Sequence, residues 1–246
     1  MEEPLARGTR ECPFGTCDGS GFVVEESSAT ATDCRCRPAR IAQLRAARLE
    51  GRVPKRYRGV SFERPPVSDI ARTAPEQISS IRRYVRDIAR NLDVGRGLWI
   101  QGDVGTGKTT LAMLVSMAAI DAGRSVAIYS LPRLLNLLRE AMDSDAGKLD
   151  FIDRLTAVDL LHIDDLGAEH RTDWVLEQLY SIVNARYEAE RAIVATTNLM
   201  PDELDERLGP RTVSRLEEIC GSIIPLYGAD RRREYRAEPT DLAERR

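Results

Sequence analysis

Residues 97–123 read GLWIQGDVGTGKTTLAMLVSMAAIDAG. GLWIQG (97–102) is a short apolar run closed by a glycine, the pattern of a buried strand. TTLAMLVSMAAIDAG (109–123) has the composition of a helix, which Gly123 ends. Between strand and helix, Gly102 to Thr109 (GDVGTGKT) matches G-x-x-x-x-G-K-[ST] in full. Gly102, Gly105 and Gly107 permit backbone angles that a Cβ would hinder. The peptides of Gly102, Asp103, Val104, Gly105, Thr106 and Gly107 can then aim N–H groups at phosphate oxygens. The helix that follows adds its positive N-terminal end, with Thr110 in its first turn. Lys108 reaches the β and γ phosphates of a nucleotide, and the Thr109 hydroxyl is placed to hold Mg²⁺. The competing reading is a glycine-rich turn that binds nothing. A strand before the loop and a helix after it argue against that.

Working outward, apolar runs recur at SVAIY (125–129), VDLLHI (158–163) and AIVATT (192–197). They alternate with helical patterns: LPRLLNLLREAM after Ser130, which is placed to cap it, and a long helix opened by Asp173, with Val175, Leu179, Ile182, Val183 and Arg186 on its face. Strands alternating with helices predict an α/β fold with a parallel sheet. Upstream, Ile78, Ile81, Val85 and Ile88 share a helix face. PKRYRGVSFERPP (54–66) reads as an extended linker, and ARIAQLRAARLE (39–50) as a short amphipathic helix stopped by Gly51.

LLHIDDLG ends its strand on Asp164 and Asp165. After a phosphate loop, the first carboxylate is expected to hold Mg²⁺ through water, and the second to polarise an attacking water. Side chains alternate along a strand, so neighbouring carboxylates can take different tasks. A turn or capping pair is the alternative. Asn198, at the tip of AIVATTN, is a candidate to hold that water or sense the γ-phosphate; it would otherwise simply begin a turn. His162 is expected to be a buried structural residue, and His170 to be exposed.

Net charge is −3, so any contact with a polyanion must be local. Lys55, Arg56 and Arg58, or the basic run 231–236, are the candidates for it; the alternative is that such charge runs are only a solvated face. The polar beginning MEEPLARGTRE has no apolar core, and no apolar run is long enough for a membrane. A cytoplasmic protein is expected, and a reducing cytosol disfavours disulfides. Four of the five cysteines, Cys12, Cys17, Cys34 and Cys36, follow C-x4-C-x16-C-x-C. That spacing can build a four-thiolate zinc site around a small hairpin, with the metal supplying the folding energy. The other reading is a disordered or redox-active segment. Cys220 is isolated and is expected to be a small buried apolar residue.

The motifs GDVGTGKTTLA, VDLLHIDDLGAE, AIVATTNL and RLGPRTVSRLEE, followed by GADRR, together resemble the bacterial replicative helicase loaders of the DnaC/DnaI type. These are AAA+ ATPases, and the ATP-binding subunits of insertion-sequence transposases (IstB type) share most of the same motifs. The resemblance runs from about Pro54 to about Arg236. It implies a five-stranded parallel AAA+ core without a lid domain over residues 54–246, preceded by a zinc-binding region over 1–53. CDGSGFV and CRCR resemble the zinc module that some loaders carry. Arg215 in RTVSRL matches the arginine finger that enters a neighbouring subunit's site, and Arg232 matches a sensor arginine acting in cis. Asp165 departs from the Asp-Glu pair of many AAA+ ATPases. The implied partners are the hexameric replicative helicase, single-stranded DNA and further copies of the chain in the ATP state, with no membrane. The alternatives are a transposition ATPase working with a transposase, and an adaptor that binds ATP without hydrolysing it.

Overall fold

The computed structural model describes residues 12, 14–25, 30–37, 53–142 and 145–233. The helix expected over 39–50 and the end of the basic run, 234–236, lie outside them.

Phe22–Glu25 (β1) and Thr30–Asp33 (β2) pair antiparallel, the small hairpin expected between the two cysteine pairs. The rest of the strands form one parallel sheet: Leu98–Gln101 (β3), Val126–Ser130 (β4), Leu160–Leu166 (β5), Ala192–Thr197 (β6) and Ile224–Pro225 (β7), in the order β4-β5-β6-β3-β7. Side chains alternate across this sheet, as a strand covered on both faces requires. Trp99, Leu161, Ile163, Ile193 and Ala195 face one helical layer. It is built from Leu131–Ala141 (α5), Asp145–Ala157 (α6), Asp173–Glu188 (α7), Leu204–Leu208 (α8) and Pro210–Cys220 (α9). Leu98, Ile100, Leu160, Ala192 and Val194 face the other. That layer holds Val67–Thr73 (α1), Pro75–Arg86 (α2), Ile88–Asp93 (α3) and Lys108–Asp121 (α4).

Lys108–Asp121 is buried along most of its length, which suits the helix directly behind the loop. Among the described residues, no helix is long and apolar enough to cross a membrane. Two expectations need correction. Residues 54–66 are not extended: Lys55–Tyr57 is a turn of 3-10 helix, further turns follow, and the Pro65–Pro66 bond is cis. Ser130 occupies the N-cap position of its helix but its side chain makes no capping bond, because Pro132 in the first turn removes one of the donors it would serve.

At the N-terminal ends of the strands, Arg186 is fully buried. Its guanidinium donates to the carbonyls of Leu155, Val158 (3.1 Å), Asp159 (3.2 Å) and Ala192 (2.7 Å). Burial and the neighbouring Arg191 pull its pKa down to about 9 against the pull of Asp159. One side chain thus ties α6, the start of β5 and the start of β6 together. The candidate site residues Asp164, Asp165 and Asn198 and the phosphate loop sit at the opposite, C-terminal ends.

Candidate nucleotide site and cysteine cluster

The phosphate loop leaves β3 at Gly102, whose amide donates to Thr197 O on β6 (3.2 Å). The loop is closed by its own side chains. Thr106 Oγ1 and Lys108 Nζ both donate to Asp103 O, at 2.9 and 2.6 Å. Gly105 and Gly107 have φ of 80° and 105°, and space as well as conformation excludes a side chain. A Cβ on Gly105 would sit 1.9 Å from Asp230 Oδ1, and one on Gly107 would sit 2.4 Å from Ile70 Cδ1. The segment after β7 therefore lies against the loop: Gly228 N donates to Asp103 Oδ2 (3.0 Å) and Arg231 N to Gly105 O (3.1 Å). Arg231 also bonds Thr73 Oγ1 at the end of α1 (2.6 Å).

These elements enclose a cavity of about 580 Å³. Its lining includes Gly105, Lys108, Thr109, Thr110, Asp165 and Asn198. It also includes the apolar Val60, Pro66 and Ile70 and the ring of Tyr57, with Arg56, Arg231 and Arg232. Charged and amide-bearing groups together with apolar ones are what a nucleotide's phosphates and base require. The apolar lining was not foreseen. Tyr57, Val60 and Pro66 come from the stretch read as a linker, and only the folded turns bring them to the loop.

Lys108 is buried, which pulls its pKa down, while the carboxylates of Asp165, Asp103 and Asp164 oppose the shift. Burial works to raise the Asp164 carboxyl, but the facing His162 and the hydroxyls of Thr196 and Thr109 hold it below the usual range. It is therefore the more acidic carboxyl of the pair. Thr196 Oγ1 donates to Asp164 Oδ1 (2.7 Å) and accepts from Asp165 N (2.9 Å). Thr196 had no assigned part, although the paired threonines ending AIVATT were a visible signal. The register of β5 against β6 shifts between Ile163 and Leu166, and Asp165 has φ of 59°. This irregularity re-aims one side chain. Asp165 points into the cavity, and burial together with the Asp164 charge pushes its carboxyl upward, against Lys108 and Arg232. A raised carboxyl beside a depressed one is the arrangement that separates a proton acceptor from a metal-binding anion. Thr109 and Asp164 are the oxygen donors available for Mg²⁺, a hard cation that suits oxygen ligands.

Asn198 is exposed at the cavity rim and Arg232 lies in its wall. Arg215 does not line the cavity. It bonds Glu218 Oε1 (3.0 Å) and lies 4.0 Å above the Tyr187 ring, while Tyr187 Oη donates to Glu218 Oε2 (2.6 Å). His162 is fully buried and His170 exposed, both as expected, and Cys220 is buried at the end of α9.

The thiols of Cys12, Cys17, Cys34 and Cys36 all lie within 4.8 Å of one another. Cys12 and Cys34 are 3.7 Å apart, and Cys17 and Cys36 3.5 Å. Tetrahedral zinc with Zn–S near 2.3 Å sets its sulfurs about 3.8 Å apart, so the donor set fits. Burial would raise the Cys12 thiol, but hydrogen bonds from Thr16 and from the Phe14 and Cys17 backbone bring it down to about 5. The backbone of Cys36 and the Thr16 side chain also lower Cys34. Burial, with the other thiols, pushes Cys36 up to about 12. Four crowded sulfurs cannot all ionise without a cation among them.

A family model for the IstB-like ATP binding protein matches residues 80–216. By sequence, the chain is similar to the phage-like element PBSX protein XkdC of Bacillus subtilis, 26% identical over 237 residues, covering 90% of this chain and 84% of that one. It is also similar to the replicative helicase loader DnaC of Escherichia coli, 26% identical over 140 residues, where the match spans only 56% of each chain. Among solved structures, the DnaC helicase loader superposes with a TM-score of 0.59 at 26% identity, covering 70% of this chain and 99% of that one. The phosphate loop, the carboxylate pair at the end of β5 and strands β3 to β6 lie inside residues 80–216, and the chain belongs to the IstB-like ATP-binding family of AAA+ P-loop ATPases.

Proposed function

We propose that the chain is an ATP-dependent loader of a replicative helicase onto single-stranded DNA. The carrying observation is the likeness to the DnaC loader in both sequence and fold, together with a phosphate-loop cavity lined by Asp165, next to Asp164 of opposite tendency. In the cavity, loop amides, Lys108 and Arg232 hold the phosphates of ATP. Asp165 accepts the proton of a water that attacks the γ-phosphorus as the bond to the leaving ADP oxygen breaks. Asn198 orients that water. Thr109 and Asp164 would hold Mg²⁺, which would supply neutralisation of the phosphate charge. Arg215 lies outside the lining of its own cavity, which suits a finger that completes the site of an adjacent copy. Hydrolysis then depends on assembly, and the γ-phosphate acts as the switch between subunit arrangements.

Residues 1–53 form the docking region for the helicase, folded around zinc, and residues 54–246 the ATPase core. The place of work is the cytoplasm. The test is co-sedimentation of the full chain with a hexameric bacterial replicative helicase, with and without ATP. ATP-sensitive co-sedimentation, lost in a Cys34→Ser/Cys36→Ser variant, is expected. No helicase binding by the intact chain refutes the loader reading. The family match itself favours a second reading, an IstB-type ATPase that regulates a transposase on DNA. Binding to double-stranded DNA with a transposase, and not to the helicase, selects it.

A further inference from the structure

His162 has no part in the scheme above, yet its surroundings are unusual for a purely structural histidine. It is fully buried, and its Nδ1 lies 2.9 Å from Ser116 Oγ on α4, the helix that begins at the phosphate loop. Its Nε2 has no hydrogen-bond partner and lies 4.0 Å from Asp164 Oδ1. Alternation along β5 explains the placement, because Leu160, His162 and Asp164 share the sheet face that α4 covers.

Ser116 decides which ring nitrogen carries the proton. Its oxygen is 3.0 Å from Ala112 O as well as 2.9 Å from Nδ1, and it has one O–H. If the hydroxyl donates to Ala112 O, Ser116 must accept from Nδ1–H. A bare Nε2 lone pair then faces a carboxylate in a dry setting, which is repulsive. If the hydroxyl donates to Nδ1, the proton sits on Nε2 and faces Asp164. The second arrangement turns the hydroxyl off Ala112 O and leaves two neutral acceptors 3.0 Å apart, which costs less than a lone pair against a carboxylate, and Ala112 O keeps its helical partner.

We propose that His162 is a positioning residue for the metal-binding carboxylate. In its Nε2–H form, selected by Ser116, it orients Asp164 Oδ1 together with Thr196, so that the carboxylate would be held ready for Mg²⁺. This rests on the reading of Thr109 and Asp164 as the magnesium site. The 4.0 Å gap is wider than a hydrogen bond, so this role requires the contact to shorten in the loaded site. The result is a link from the phosphate-loop helix, through Ser116 and His162, to the end of β5. Partners that orient a metal ligand in this way are typically worth about 10–100-fold in metal affinity.

The experiment uses the full chain and a fluorescent ADP analogue, titrated with Mg²⁺. Gln at 162 can place an amide N–H where Nε2 stands; Asn can replace only the contact to Ser116; Phe replaces neither. His162→Asn and His162→Phe are expected to raise the Mg²⁺ midpoint by about 10-fold or more, with metal-free nucleotide affinity unchanged. His162→Gln is expected to recover most of that loss, and Ser116→Ala to lie between. Thermal melting of each variant separates this from loss of packing. A wild-type midpoint in His162→Asn overturns the proposal. So does a His162→Gln protein that melts like wild type but loses as much Mg²⁺ response as His162→Phe. If nucleotide binding by the wild-type chain ignores Mg²⁺ altogether, the magnesium reading itself falls and takes this inference with it.

Discussion

Replacing Asp165 by Asn removes the proposed proton acceptor and little else. The position has φ of 59°, a region in which Asn and Asp are accepted more readily than other side chains. An Ala there would add a backbone cost of about 1–2 kcal/mol and confuse the result. Loss of a general base typically slows a reaction about 10²–10⁴-fold, or about 3–5 kcal/mol of barrier. Binding should move the other way. The Asp165 carboxylate faces Lys108 and Arg232, so its removal leaves those cations to the phosphates and nucleotide affinity should rise. Stability has a definite sign too. Burial and Asp164 raise the Asp165 pKa in the folded chain, so its contribution is present at low pH and is lost as pH rises through the folded value. At neutral pH, Asp165→Asn escapes that loss and should melt no lower than wild type. The assays are ATP turnover by the assembled protein, equilibrium binding of a fluorescent ADP analogue, and thermal melting without nucleotide. Turnover within about 3-fold of wild type refutes the assignment of the base, since that lies far below the loss expected for one.

Arg215→Ala should bind nucleotide like wild type and hydrolyse it about 10³-fold more slowly. Mixing it with Asp165→Asn should restore turnover, because a mixed interface joins an intact site to an intact finger; a mixture as inactive as its parts refutes action in trans. Metal analysis of the purified chain should find about one zinc per chain, and Cys36→Ser should lose it. Metal-free wild-type protein with an intact hairpin signal would sink the zinc assignment. Arg186→Met should destabilise the chain by about 3 kcal/mol or more in denaturant unfolding, because it strands buried carbonyls that Arg186 now satisfies. A loss under about 1 kcal/mol would show that water or local movement replaces those bonds.

Much of the sheet was legible because its strands are apolar runs between turn signals, and AIVATT matched β6 residue for residue. The loop and the carboxylate pair were legible because their chemistry demands fixed residue types at fixed spacing. What escaped was set by tertiary contact. β7 is two residues long and exists as a strand only through pairing with Ile100 and Gln101. The helix Asp145–Ala157 carries a weak apolar stripe broken by Gly147 and Lys148, and it draws its order from packing against α5 and α7. The irregularity that turns Asp165 into the cavity has no residue signature at all, since a DD pair reads the same whether or not the register shifts. Likewise, Tyr57 and Val60 looked like linker residues until the turns carried them against the loop.

The close approaches at the phosphate loop have a consequence for how the chain reports its ligand. Ile70 presses on Gly107 from the segment that enters the core, and Asp230 presses on Gly105 from the segment that leaves it. Arg231 joins the two by its bond to Thr73. The loop is therefore clasped between stretches more than 150 residues apart in the chain, with Thr73 and Arg231 separated by 158 positions. Amide hydrogen exchange should register this as slowing in three separate stretches on addition of nucleotide: the loop, residues 55–73 and residues 226–233. A ligand held mainly by one turn thereby stiffens both the entrance and the exit of the ATPase core, the two places where a flanking segment could feel whether the site is full.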